Sequence, residues 1–471
     1  MKHIQFLVLL FLFSGMSLFS YAQHYKIAVD IENLGDSTVY LGYYYGDKQF
    51  AKDTITLDKN GKGAFTGNDT LSRGVYFVLV PGNMFFEIVI DEDQDFSVSS
   101  KYNGNAGDLT KHLKSKGSSE MDLYLDYQQF MSKQSNLAIS LRDRLKSEKD
   151  EVKKKVLTDS LNILHEQVKA KWTTIESKHP SSIIASILLC NKEIEIPEPP
   201  KDDNGVIIDS MFQYKYYKAH YFDYVNFTDQ RLLFTQFYHP KIERYFEKLI
   251  IPAPDTVIKE SKMILDKVKD NEEMFKYTLQ FLFNKYNNSN IMGMDKAFVF
   301  FAENYYLNGV AHWADSTWLK KVEDRVREIK PNLIGNKAPE IKLLAFDDSF
   351  VSLHLVQAEY TVLFFYEPTC GHCKKTTPKM KALYEKYWEK GVEVIAIYTQ
   401  VDKEEWSKFI KDQKLEEWIN AWDPYHQSNF RYYYDVRSTP SIYLLDKDKN
   451  IIGKRIDVET LEKILEDKLG K

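Results

Sequence analysis

Between Tyr25 and Ser100 apolar and polar residues alternate in short runs with a period of two, the spacing of half-buried strands. Six strands are expected: 26–31, 38–45, 51–57, 75–80, 85–90 and 96–99. Turn residues separate them at Asp58-Lys59-Asn60-Gly61, Pro81-Gly82-Asn83 and Asp91-Glu92-Asp93, and the spacing suits a small all-β sandwich. After Ser118-Ser119-Glu120 the period lengthens to that of a helix, in Met121-Leu123-Leu125-Phe130 and again in Val156-Leu161-Leu164-Val168-Trp172. The Arg142-to-Lys155 charge run reads as a solvated helical surface. Three prolines in Ile194-to-Pro200 remove amide donors and break the helical region with a loop. Helical patterns resume from Met211 to Lys330, including 242–250, 274–286 and 318–329. Past Pro331-to-Pro339 strand and helix signals alternate. The expected organisation is multidomain: a leader over 1–22, a β-rich domain over 23–100, a mostly helical region over 101–332 and an α/β domain over 333–471.

The N-terminus reads as an export signal. Met1-Lys2-His3 is basic, Ile4 to Phe13 is almost wholly apolar, and Ser20-Tyr21-Ala22 is a small-x-small cleavage site. The expected location is therefore periplasm or cell envelope. No later segment is apolar enough for a span, so no stable membrane span is expected once the leader is removed.

Composition narrows the function classes. Lys+Arg 63 against Asp+Glu 68 gives a net charge of −5, which offers no nucleic-acid footprint. With 44% hydrophobic and 28% charged residues the chain has the make-up of a folded protein. Asp91, Glu92, Asp93 and Asp95 lack the glycine and closing glutamate of an EF-hand and read as a solvated turn. The histidines of the helical region show no ligand spacing, and no metal or other cofactor is expected. Of the three cysteines, Cys190 ends the apolar run from Ile183 and reads as a buried hydrophobe.

Cys370 and Cys373 are different. Tyr360 to Tyr366 is a continuous apolar run, the pattern of a strand buried on both faces. Glu367-Pro368-Thr369-Cys370-Gly371-His372-Cys373 follows, and then the helical stripe Met380-Leu383-Tyr384-Tyr387. The cysteines thus open a helix, at i and i+3 on its first turn, near enough to form a disulfide. Cys370 meets the free amides and positive end of that helix, which stabilise its thiolate. Lowering a thiol pKa from ~8.5 to ~7 raises the thiolate fraction roughly 16-fold, yet a Brønsted slope of ~0.4–0.5 leaves a net gain of only about threefold in attack. The larger benefit is a good leaving group, resolved by Cys373 from the same turn. His372 between them is expected to tune the pair towards oxidising chemistry. A plain structural disulfide and half of a zinc site are the other readings. Zinc lacks a second ligand pair in the sequence, and a disulfide closing so short a loop constrains the unfolded chain little.

The run from Val362 through Cys370-Gly371-His372-Cys373 to Pro378, together with Gly391-to-Tyr398 and Val436-Arg437-Ser438-Thr439-Pro440-Ser441-to-Asp446, resembles the thioredoxin superfamily. It is most similar to the exported TlpA/ResA-type thiol-disulfide oxidoreductases, over about residues 333–469. The resemblance implies a C-terminal thioredoxin-like fold and disulfide exchange with partner proteins. It also implies Cys370 as nucleophile, Cys373 as resolving thiol and a Cys370–Cys373 disulfide in the oxidised state. Pro440 would be a cis-proline facing the pair, with the Thr439 backbone binding an extended substrate segment. Partners would be protein thiols or disulfides and an electron donor or acceptor. The segments before it are similar to the β-rich domain of unknown function and the helical region that precede such domains in exported proteins of Bacteroidota. Three positions depart from the family pattern: Thr369 replaces the usual Trp, Phe364 the buried acid, and Thr376 the acid of some exported relatives. Glu367 and His372 remain candidates for proton transfer. The competing reading is a cell-envelope scaffold whose thioredoxin-like domain is not catalytic; a peroxiredoxin is disfavoured because Pro-x-x-x-Thr-x-x-Cys is absent around Cys370.

Overall fold

The computed structural model describes residues 25–470, so the expected leader lies outside the described residues. The chain divides into two compact units, one ending at Glu243 and one beginning at Arg244.

The first unit opens with two four-stranded sheets. Its strands are β1 (Tyr25–Glu32), β2 (Thr38–Tyr45), β3 (Lys48–Thr56), β4 (Lys62–Gly67), β5 (Gly74–Val80), β6 (Met84–Ile90), β7 (Asp95–Lys101) and β8 (Lys114–Lys116). One sheet has the order β4-β1-β7-β8 and the other β3-β2-β5-β6. Alternation places Tyr25, Ile27, Val29 and Ile31 on one buried face of β1, which pairs parallel with β7. Two strands were not expected, and composition explains both. β4 carries a single large apolar residue, Phe65, while β8 is Lys-Ser-Lys and pairs only with β7, which takes the sheet beyond residue 100.

Helices follow: α1 (Ala106–Lys111), α2 (Ser119–Ser147), α3 (Glu151–Lys178), α4 (Ile183–Asn191), α5 (Phe212–His220) and α6 (Tyr238–Arg244). Ser118 and Asp150 cap the starts of α2 and α3 with their side-chain oxygens. The two helices run antiparallel, with Gln134 donating to Gln167 and Lys171 paired to Asp126. The charge run straddles the turn between them. Cys190 is fully buried in α4, and burial pushes its thiol up to about 11. The acidic turn is exposed at Glu92, Asp93 and Asp95, as expected, whereas Asp91 is half-buried with Arg73 and Arg231 beside it.

The second unit joins four helices to a seven-stranded sheet. The helices are α7 (Pro254–Val268), α8 (Glu272–Asn287), α9 (Asp295–Phe301) and α10 (Ser316–Ile329). The sheet contains β9 (Lys342–Ala345), β10 (Phe350–Ser352), β11 (Tyr360–Tyr366), β12 (Val392–Tyr398), β13 (Ile419–Trp422), β14 (Ser441–Asp446) and β15 (Ile451–Lys454), in the order β10-β9-β13-β12-β11-β14-β15. Central strands β11, β12 and β13 are parallel, whereas β14 runs antiparallel to β11. Helices α11 (Gly371–Tyr387), α12 (Lys403–Gln413), α13 (Phe430–Tyr433) and α14 (Val458–Leu469) complete the expected thioredoxin-like fold.

Strand β11 is buried on both faces. Val362, Phe364 and Tyr366 pack with Met380 and Leu383 of α11, Trp406 of α12 and Leu461 of α14. Leu363 and Phe365 face the opposite core with Tyr434, Tyr443 and Leu445. Each such side chain contributes about 1.5–3 kcal/mol by burial, so the strand that ends at the cysteines is among the best-anchored segments of the unit.

Candidate functional site

The site begins where β11 stops. Pro368 lacks an amide to continue the ladder, and the Cys370 amide closes a turn onto the Glu367 carbonyl at 3.2 Å. Cys370 then takes the capping position of α11 in extended conformation (φ −69°, ψ 120°), where Ser, Thr, Asp or Asn usually sits. Its Sγ accepts from the Cys373 amide at 3.4 Å and lies 3.3 Å from the Thr439 carbonyl oxygen. Both cysteines are thiols here. Pro378 lies inside α11, where it offers no amide to the preceding turn.

The two sulfurs are unequal. Partial burial of Cys370 disfavours its thiolate, but hydrogen bonds from Cys373, Thr439 and the His372 amide outweigh it and hold the thiol below the ordinary cysteine value. Cys373 is fully buried, and burial together with the neighbouring Cys370 sulfur pushes its thiol up to about 12. A half-buried thiol lowered below the ordinary value thus stands beside a fully buried one raised above it.

Structure brings together four of the expected residues: Cys370, Cys373, Thr439 and Pro440. The Thr439–Pro440 peptide bond is cis. His372 is exposed, and its backbone amide reaches Cys370. Glu367 is ordered at the site, its carboxylate accepting from the Thr439 hydroxyl at 2.8 Å and from Gln400 Nε2 at 2.8 Å. Gln400 had no signal in the sequence, because only the fold brings the end of β12 beside the end of β11. Beyond Pro440 lies a cleft of about 500 Å³, lined by Thr376, Lys379, Arg437, Arg455 and Glu459 among others. Among the described residues, no group of three or more His, Cys, Asp or Glu side chains is arranged to hold a metal ion.

A capped CxxC at the end of a central strand, opposite a proline loop, defines the thioredoxin-fold class of redox proteins. Residues 334–454 match the profile of the AhpC/TSA family, and residues 148–333 and 25–124 match domains of unknown function (DUF5106 and DUF4369). The thiol-disulfide oxidoreductase ResA of a Bacillus cereus strain is 30% identical over 131 residues, 28% of this chain and 74% of that protein. ResA of Oceanobacillus iheyensis is 26% identical over 143 residues, 28% of this chain and 72% of that protein. A domain of a possible thiol-disulfide isomerase from Cytophaga hutchinsonii is 39% identical, covering 29% of this chain and 94% of that structure, with a TM-score of 0.28. A thioredoxin-like protein from Bacteroides caccae is 22% identical over 58% of this chain and 98% of that structure, with a TM-score of 0.44. The chain belongs to the ResA-like thiol-disulfide oxidoreductases, and it is an oxidoreductase.

Proposed function

We propose that this protein is exported to the periplasm or cell envelope and exchanges disulfides with partner proteins through Cys370 and Cys373. The observation that carries this reading is the Cys370 sulfur at the cap of α11, within 3.4 Å of the Cys373 amide and 3.3 Å of the Thr439 carbonyl. Export rests on the basic start, apolar run and cleavage pattern of residues 1–22. Among the described residues no helix is long and apolar enough to cross a membrane.

The reaction balances over the pair and one partner disulfide. Cys370 thiolate attacks one partner sulfur, forming a mixed disulfide and expelling the other as a thiolate, which takes up a proton. Cys373 then loses its proton and attacks Cys370 Sγ, which forms the Cys370–Cys373 disulfide and expels the second partner sulfur. Two electrons pass from the pair to the partner, and the reverse sequence oxidises a partner dithiol. Burial chiefly, and the Cys370 sulfur to a lesser degree, keep Cys373 protonated in the resting dithiol; its deprotonation is needed only once Cys370 carries the mixed disulfide. The partner segment would lie along the Thr439–Pro440 loop and enter the adjoining cleft.

Glutathione titration with mass-spectrometric thiol trapping tests this reading, with Cys190 as the unpaired control. A reduction potential between ~−270 and ~−120 mV is expected; a value below ~−300 mV would mark an inert structural bond.

A further inference from the structure

Four residues before Thr439 stands Asp435, whose side chain is only 2% exposed and whose backbone has φ 45°, in the left-handed region. Arg325 of α10 grips its carboxylate at two points, Nη1 to Oδ1 at 2.7 Å and Nη2 to Oδ2 at 2.8 Å. Arg437 Nε donates to Oδ1 at 2.7 Å, and Arg455 pairs with Oδ2 while also donating to the Asp435 carbonyl at 2.9 Å. Glu328, one turn beyond Arg325, pairs with both Arg325 and Arg437. Asn332, just past the end of α10, donates to the Tyr433 carbonyl at 2.8 Å. Its Oδ1 accepts from Lys454 of β15 at 2.5 Å, and buried Lys454 is also paired with Asp295 of α9. The chain from Tyr433 to Arg437 is therefore fastened to the helical segment at three points immediately before it enters the loop that faces Cys370.

We infer that the helical segment is a working part of the redox site, with Arg325 and Asp435 as positioning residues that set the Thr439–Pro440 loop against the Cys370 sulfur. This rests on the proposed role of Cys370 and gives the helices that precede the thioredoxin-like fold a task in its chemistry. A buried carboxylate depends on its partners, and loss of the Arg325 fork leaves Asp435 to Arg437 and Arg455 alone, its carboxylate untied from α10 and free to shift or to admit water. The loop lies four residues away, and its Thr439 contacts to Cys370 change with it.

The test uses the full chain and reads the pH profile of Cys370 alkylation by iodoacetamide, resolved by peptide mass spectrometry, alongside thermal unfolding. Arg325→Ala is expected to displace the profile by about half a pKa unit, a change of about threefold in the rate at pH 7. Asp435→Asn, which keeps shape and backbone preference, is expected to act in the same direction. Arg327→Ala, on the same helix but paired with Glu323 and Asp324, should leave the profile unchanged. Folded Arg325→Ala and Asp435→Asn proteins with the wild-type profile and a lower melting temperature would show a merely structural contact and overturn the inference. Should Arg325→Ala fail to fold, Arg325→Lys keeps the charge without the planar fork, and the same reading of its profile decides; failure of both to fold assigns the contact to stability alone and also overturns it. Wild-type protein that does not exchange with oxidised glutathione defeats the proposed function instead, a result separate from an unchanged variant profile.

Discussion

The Thr439 hydroxyl donates to the Glu367 carboxylate at 2.8 Å, joining the proline loop to the turn that carries the first cysteine. Gln400 holds the other carboxylate oxygen, so Glu367 serves as a brace between three segments. Hydrogen bonds to a carboxylate are worth about 1.5–3 kcal/mol when enclosed and less when half-exposed, as Glu367 is. Glu367→Ala should therefore slow glutathione exchange at Cys370 by about fivefold, the equivalent of about 1 kcal/mol. Glu367→Gln should do less, because the amide oxygen still accepts from Thr439. Exchange rates from quenched thiol trapping check both, and an unchanged Ala variant would rule out the brace.

The inequality of the sulfurs predicts selective labelling. With its thiol pushed up to about 12, Cys373 is protonated at pH 7, and Cys190 is likewise protonated and buried. Iodoacetamide at pH 7 should modify Cys370 alone in the native reduced protein and all three cysteines after denaturation. In Cys373→Ser the Cys370 mixed disulfide should persist, visible as a partner adduct on non-reducing gels. Equal native labelling of Cys373 would contradict the buried placement.

Stability of the reduced protein should fall on the alkaline side. Folding raises the thiols of Cys190 and Cys373, so their contribution is complete below the ordinary value of ~8.5 and is lost as pH rises towards about 11 and 12. Cys370, lowered by folding, acts in the opposite sense: its contribution is present above the ordinary value and is lost as pH falls through the folded one. Urea midpoints of the reduced protein should thus decline from pH 9 to 11, and Cys190→Ala should flatten that decline whatever its effect at pH 7. Parallel wild-type and variant curves would show that Cys190 titrates freely.

Behind Cys373 the Tyr366 hydroxyl accepts from Trp406 Nε1 at 2.9 Å in a fully buried contact. Tyr366→Phe leaves the indole N–H unpaired and should cost about 1–3 kcal/mol. Trp406→Phe strands the Tyr366 hydroxyl, at a cost of about 1–3 kcal/mol, and adds the cost of a cavity against Tyr398 and Trp422. The double variant should cost less than the two single losses together, since neither polar atom is then left without a partner. Denaturant titration of the four proteins measures the coupling; strict additivity would refute it.

What could be read beforehand was local. The β11 strand announces itself through seven consecutive apolar or aromatic positions save Thr361, and the cysteines follow at the spacing of one helical turn. Periodicity likewise located α3, α8 and α10. It missed β4 and β8, where pairing with β1 and β7 supplies the order that their own residues do not. At the site the cysteines and the Thr439–Pro440 loop were legible as a motif, while the placement of His372 on the exposed side and of Glu367 towards Thr439 was not. Arg325 and Asp435 meet across 110 residues, and no local pattern in either segment points to the other.

The antiparallel place of β14 beside β11 makes that pair the costlier of the two pairings of β11 to close. β12 reaches β11 through α11 alone, whereas β14 arrives about 80 residues later and only after β13, so closing that pair carries the greater loop entropy. A chain cut short before Thr439 carries both thiols at the head of α11 but lacks the threonine carbonyl and proline that face them, and it leaves one edge of β11 open. Such an unfinished edge is a template for pairing with other chains. Folding of the C-terminal stretch therefore does two things at once: it closes the sheet, and it sets a wall beside a sulfur that until then is open to any disulfide within reach.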